Sequence, residues 1–346
     1  MVRILRQVRY RQTASLSLIL KSLIFNNTKL EYNPNIFFRN GHVNSIYPTL
    51  FRKKKDLPFR RVRIETPDDD FLDIDILEGN NKRLAILCHG LEGSSKSHYI
   101  LGTSGLAFEN SWDVAALNYR GCSGEMNRQR RMYHSGATDD LDLVLKHFSP
   151  GYQEIALVGF SLGGNLVLKY CGERPDSLDT SVSSVTGISV PCDLAAGCRH
   201  IGKSSNFIYE KKFLVSLKEK IRQKEKQFPG SFDMKHVNSI HKLYDFDDQF
   251  TAPIHGFKDA EDYYGQSNCK QFLNDIRIPC KIISALDDPF LPSVSYPFKE
   301  ADENPSIRFI ASKFGGHVGF VRLGEAYYWN ELKTIEFMNE QSGDIT

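Results

Sequence analysis

A serine framed by glycines, GFSLG over residues 159–163, follows the apolar run 154–158 and leads into a helix-like stretch. At such a strand-to-helix corner a serine stands clear of the backbone with the positive end of a helix beneath it, so Ser161 is a candidate nucleophile toward a carbonyl. Glycines two residues to either side let the chain turn tightly and let strand and helix approach. The competing reading is a glycine-rich turn with a spectator serine. About 0.15 matches to G-x-S-x-G arise by chance at this length and composition. Partners must therefore decide.

A serine nucleophile needs a base, an acid to orient that base, and donors for an oxyanion. On a strand–turn–helix corner the expected chain order is Ser, then Asp or Glu, then His. After Ser161 the run IISALDDPFLP, residues 282–292, ends a buried-strand pattern in Asp287 and Asp288. Further on, KFGGHVGF at 313–320 presents His317 among glycines, just past the strand-like run 307–311. The D-x-x-x-P spacing from Asp288 to Pro292 favours Asp288 as the acid, with Asp287 as the alternative. Oxyanion donors are expected from the residue after the nucleophile and from the loop CHGLEGSS at 88–95, which makes the backbone N–H groups of Leu162 and Leu91 the candidates. His89 precedes Gly90 and suits a loop-fixing hydrogen bond better than a base.

Two further patterns carry less. His134 and Asp139 fit H-x-x-x-x-D, but they sit at the start of a predicted helix where Ser135 or Thr138 can serve as a cap. Asp68, Asp69 and Asp70 resemble a cation cluster, yet they occupy a turn without supporting ligands and read as solvated.

The elements that must position these groups alternate along the chain. Residues 61–66 and 71–77, joined by the turn 67–70, read as an antiparallel hairpin, and the acid–apolar alternation of the second suits a strand with one face in water. Then come short apolar runs at 83–88, 113–118, 154–159, 182–190 and 280–285, the pattern of strands buried on both faces. Amphipathic segments at 137–148 and 162–171 lie between them. The fold class is therefore α/β: a mostly parallel, doubly wound sheet with a leading antiparallel hairpin. Residues 193–268 hold no strand-like run and contain the Lys-rich helical stretch 207–226, so they read as a helical cap inserted between core parts 33–192 and 269–346. Its aromatics Phe207, Tyr209, Phe246, Phe250, Tyr263 and Tyr264 can line a pocket, although packing accounts for most of them.

Bulk properties narrow the class. A formal charge of +2, with no basic run interleaved with aromatics, excludes a nucleic-acid binder. The seven cysteines are scattered without a C-x-x-C pair, which argues against disulfides or zinc and for a reducing, cytoplasmic setting. Residues 1–30 carry six basic side chains and no acid, and the apolar segment 14–20 stops at Lys21. A basic N-terminal extension, 1–32, is expected; it leaves targeting and weak membrane-surface contact open.

Four stretches, NGHVNSIYP (40–48), HGLEGSS (89–95), NYRGCSG (118–124) and FTAPIHGF (250–257), together with the serine motif, resemble the α/β-hydrolase superfamily in its YheT-like branch. That branch includes eukaryotic relatives described as medium-chain ester synthases, lipases and phospholipases. The likeness runs over roughly residues 33–339 and implies an α/β-hydrolase fold in which Ser161, an aspartate at 287–288 and His317 take charge-relay roles, without metal or cofactor. The expected function is cleavage of a carboxylic ester or lipid-like molecule through an acyl-enzyme on Ser161. Acyl transfer to an alcohol by the same groups is the alternative, and a non-catalytic binding role the rival from another class.

Overall fold

A computed structural model describes residues 32–53 and 56–342. The basic arm thus lies outside the described residues up to position 31. Tyr32, counted with that arm above, is buried in the core, and its hydroxyl donates to the Val321 carbonyl at 2.8 Å.

Eight strands form one sheet: β1 (Arg60–Thr66), β2 (Asp70–Leu77), β3 (Arg83–Cys88), β4 (Asp113–Asn118), β5 (Glu154–Phe160), β6 (Val182–Ile188), β7 (Cys280–Ala285) and β8 (Ile307–Ser312). Their order is β1-β2-β4-β3-β5-β6-β7-β8. The β1–β2 hairpin is antiparallel, β2 pairs antiparallel with β4, and every later pairing is parallel. Among the helices, in chain order, are α1 (Gly41–Phe51), α2 (His98–Glu109), α3 (Thr138–Phe148), α4 (Leu162–Glu173), α5 (Leu194–Ile201), α6 (Phe207–Gln227), α7 (Met234–Ser239), α8 (Ala260–Ser267) and α9 (Trp329–Gln341), with shorter helical turns between some of them.

The unbroken apolar runs of β3 and β5 follow from burial on both faces. Ile86 and Leu157 point to a core with Leu141 of α3 and Leu166 of α4. Leu87 and Val158 point the other way, to Ile100 of α2 and Ile335 of α9. Each such fully buried side chain contributes roughly 1.5–3 kcal/mol. Helices α5 to α8 all lie between β6 and β7, where α6 and α7 gather around one apolar cluster, with Leu214, Ile221 and Phe246 among its members, and α5 and α8 meet in a second with Leu194 and Tyr264. No helix among the described residues is long and apolar enough to cross a membrane.

Two acidic patterns differ from expectation. Strand β2 is buried along its whole length, with no watered face. Arg63 closes over Asp73 with paired contacts of 2.8 and 2.9 Å, and Arg61 does the same to Asp75, so arginines from the edge strand replace water as the carboxylates' partners. Asp70 is likewise fully buried rather than solvated. Its carboxylate accepts from Arg120 Nη1 at 2.9 Å and from the Arg128 backbone at 2.7 Å, while Asp68 meets the same guanidinium at 2.8 Å. Arg120, buried after β4, also pairs with Asp140 at 2.8 and 2.9 Å and so gathers three carboxylates.

Candidate active site

Ser161 sits between the end of β5 and the first residue of α4 with φ 53° and ψ −117°. A non-glycine residue held there stores about 1–3 kcal/mol of backbone strain. Neighbouring bonds enforce it: the Ser161 N–H donates to Ile188 at 2.8 Å, and the Asn165 N–H donates to the Ser161 carbonyl at 3.1 Å. The flanking glycines are steric necessities. A Cβ on Gly159 would lie 2.1 Å from the Gly163 carbonyl oxygen, and one on Gly163 would lie 2.3 Å from that of Cys88. The hydroxyl is thereby presented above the sheet's C-terminal rim, next to the unpaired amides of a helix start.

Asp287 and Asp288 follow β7, and His317 follows β8. The imidazole Nδ1 of His317 stands 2.9 and 3.2 Å from the two oxygens of Asp288, whose side chain is fully buried. Asp288 Oδ1 also accepts the Phe290 N–H at 2.8 Å, and the Phe290 ring stacks on the imidazole at 4.1 Å. Asp287 turns the other way and accepts the Gly316 N–H at 2.8 Å. Burial pushes the Asp287 carboxyl up to about 6, with the neighbouring Asp288 charge adding to it and the Gly316 amide working against it. The histidine loop is also gripped from outside the sheet. Ser45 of α1 accepts the His317 N–H at 2.7 Å, Ser189 accepts that of Val318 at 2.9 Å, and Asn44 accepts that of Val321 at 3.0 Å. Helix α1 was not legible as a support from sequence; the NGHVNSIYP stretch that forms it was visible only as part of the resemblance.

The loop after β3 makes a tight turn in which the Gly93 N–H donates to the Gly90 carbonyl at 3.0 Å. The N–H of the second residue in such a turn, Leu91, takes no part in the turn's own bond. Gly90 lies close to the serine: a Cβ there would come within 3.2 Å of Ser161 Cβ. Glu92, which follows Leu91, has φ 54° and a carboxylate held from three sides, by Tyr133 at 2.6 Å, by Lys220 of α6 at 2.8 Å, and by the Ser216 hydroxyl. Burial opposes its charge, yet Lys220 and these bonds outweigh burial and hold the carboxyl below its ordinary range. His89 is a loop anchor. Its Nδ1 lies 2.7 Å from the Gly90 carbonyl and its Nε2 accepts the Tyr119 N–H at 3.4 Å, while burial lowers it to about 4, so it is neutral.

Ser161, Leu91, Leu162 and His317 line one cleft, with about 960 Å³ of empty space including its open mouth. Its far walls are largely apolar, among them Leu194, Phe213, Leu217 and Phe246. Of the aromatics singled out in the helical segment, Phe246, Tyr263 and Tyr264 reach the cleft. Phe250 packs in the helical cluster, Tyr209 packs edge-on against Phe290, and Phe207 is exposed. Asp247, in a π-helical turn at Asp247–Thr251, is a carboxyl on the cleft wall; burial raises it to about 6 against hydrogen bonds from Thr251 and Tyr264.

The H-x-x-x-x-D pair is not brought together as an acid–base unit. Asp139 pairs with Arg131 at the surface, whereas His134 is half-buried beside His255 on the cleft wall and accepts the Gly136 N–H at 3.2 Å. Neither Ser135 nor Thr138 caps α3, because Ser135 is engaged by the Tyr263 hydroxyl at 2.8 Å and Thr138 is the first helical residue.

Comparison with known proteins adds an independent line. A family model described as the alpha/beta hydrolase fold matches residues 85–321. The chain is 35% identical over 304 residues to the Escherichia coli (strain K12) protein named Putative esterase YheT, covering 85% of this chain and 88% of that one. It is 26% identical over 302 residues to human Phospholipase ABHD3, covering 84% of this chain and 73% of the relative. Among solved structures, the Pyrococcus furiosus esterase Pf2001 superposes with a TM-score of 0.57 at 16% identity, covering 83% of this chain and 92% of its own. Mouse alpha/beta hydrolase domain-containing protein 10 gives a TM-score of 0.53 at 16% identity, covering 82% of this chain and 100% of its own. At those identities the superpositions speak to fold alone.

Proposed function

The chain belongs to the α/β-hydrolase family, in its YheT-like branch, and from that premise we propose that it is a serine hydrolase of carboxylic esters with lipid-like acyl groups. The observation that carries the reading is the buried Asp288 carboxylate 2.9 Å from His317 Nδ1, in a cleft that Ser161 shares. Asp288 fixes the tautomer with the proton on Nδ1, which leaves Nε2 free to accept one. Ser161 attacks the ester carbonyl as His317 takes its proton. The N–H groups of Leu91 and Leu162 receive the developing oxyanion, each such donor being worth about 2.7–4 kcal/mol in related sites. His317 then protonates the leaving alkoxide, and a water activated by the same imidazole releases the acid. Every step uses side chains and amides of this chain.

The apolar walls favour an acyl chain over a polar group, and the relatives named as an esterase and a phospholipase agree with an ester substrate. Seven free cysteines, five of them buried, suit a reducing compartment such as the cytoplasm. A fluorophosphonate probe is expected to label the wild-type chain on Ser161 and to leave Ser161→Ala unlabelled. Undiminished labelling of that variant would end the proposal. Turnover of p-nitrophenyl esters of graded chain length then reports how far the cleft accommodates the acyl group, and product analysis with added alcohol separates hydrolysis from acyl transfer.

A further inference from the structure

Helix α6 has two unlike faces. Phe213 and Leu217 turn inward to the cleft, with Leu214 and Ile221 in the apolar cluster behind them. The opposite face begins Phe207, Ile208, Lys211, Lys212, Val215, which at about 100° per residue fall within an arc of roughly 140°. The three apolar members of this face are not packed: Phe207 is 57%, Ile208 60% and Val215 59% exposed. Both lysines are exposed as well, and among the described residues neither is ion-paired. The first exposed acid on the helix is Glu219, and it comes beside Arg222.

This face is continuous with the mouth of the cleft. The Asn206 side chain donates to the Pro289 carbonyl at 2.7 Å, which seats the start of α6 over the Asp288 loop. Tyr209 meets His42 of α1 at 3.1 Å and packs against Phe290, the ring stacked on His317. Val43 beside His42, and Leu286 beside Asp287, are exposed at the same place. Exposed apolar side chains thus occur on three segments that meet beside the cleft, those on α6 interspersed with lysines. A monomer rarely exposes so many large apolar groups together. On the outer face of α6, apolar groups with interspersed Lys and no exposed acid before Glu219 match the headgroup and acyl boundary of an anionic bilayer.

We propose that the outer face of α6, with the exposed rim of α1 and the Asp287 loop, is a docking surface for an anionic lipid bilayer, and that it turns the cleft mouth toward the membrane. The surface is built from residues other than the basic arm. It goes beyond the ester-hydrolase reading and is testable without catalysis.

The experiment is co-sedimentation of the full-length protein with vesicles of phosphatidylcholine, with and without phosphatidylserine. Wild type is expected to partition onto the phosphatidylserine vesicles, less so as salt rises. Phe207→Ser with Ile208→Ser is expected to weaken partitioning about tenfold. Lys211→Glu with Lys212→Glu is expected to weaken it by about 25-fold or more, from roughly fivefold per lysine lost. The arm is present in every variant, so the differences belong to α6. Because these side chains are exposed, both variants are expected to melt at the wild-type temperature. Equal vesicle binding by wild type and both variants would overturn the proposal, as would a wild type that stays in the supernatant. Self-association that disappears in the Phe207→Ser, Ile208→Ser variant, without vesicle binding, would overturn it too and make the patch an interface between copies. Fluorophosphonate labelling tests the hydrolase reading separately, so either can fail alone.

Discussion

Two adjacent aspartates do different jobs because consecutive side chains leaving a strand point to opposite sides. Asp288 faces the imidazole and Asp287 faces the backbone of the loop that carries it. Asp288→Asn is therefore expected to lower kcat by about 10³–10⁴-fold, since an amide can donate to Nδ1 and stabilise the wrong tautomer. Asp287→Asn keeps an acceptor for Gly316 and is expected to hold kcat within about tenfold; steady-state rates on one soluble ester compare the two. The second variant also carries a pH signature. Asp287 titrates near 6 in the folded chain, above the ~4 of an unfolded aspartate. Between those values the folded state binds more protons, so the wild type loses stability as pH rises from about 4 to 6. Asp287→Asn lacks that loss and should gain about 1–2 kcal/mol on the wild type over this window, after allowance for partial exposure. Urea midpoints at the two ends of the window check it. Sequence alone showed the serine corner, both aspartates and the glycine-flanked histidine, because each chemistry-bearing type stood at the end of a strand-like run. It favoured Asp288 only by its spacing to Pro292; the side on which each carboxylate lies depends on the loop's course, which spacing does not encode.

At the level of elements, the turn after β3 depends on a helix more than a hundred residues later in the chain. Glu92 holds a left-handed backbone while its carboxylate is gripped by Ser216 and Lys220 of α6. Glu92→Gln retains the neutral hydroxyl partners but leaves Lys220 buried without its counter-charge. It is expected to lower kcat about tenfold with KM within about twofold, as the Leu91 amide loses its fixed direction. An unchanged kcat would show that the turn keeps its shape without α6. The leading hairpin was readable from its alternating residues and the turn at 67–70, and the parallel strands because two-sided burial leaves an unbroken apolar run. Helix α2 was not, since every residue from Ile100 to Ala107 is buried and no polar stripe marks its period. Pro48 inside α1 hid that helix in a similar way. Strand β2 misled for the opposite reason: its alternating acids signal water, but arginines from β1 take water's place.

Across the whole molecule, charge is used internally to tie distant segments. Arg120 joins the hairpin turn, through Asp68 and Asp70, to α3 through Asp140. Arg120→Met would leave two fully buried carboxylates without their cation and is expected to destabilise the fold by about 3–5 kcal/mol, seen as a lower urea midpoint. No local pattern announces this knot, because its members are scattered through the chain. The placement of α5 to α8 between β6 and β7, in the strand-free stretch 193–268 of the sequence, has a consequence during synthesis. Until Cys280 emerges from the ribosome, β6 has no neighbour on its far side, and the main chain of Val185 to Ile188 is an open template for any passing strand. A chain halted in the helical segment would carry a finished serine corner on a sheet still able to recruit copies of itself. Aggregation of truncated products should therefore begin at β6 and cease once residues 280–285 are added.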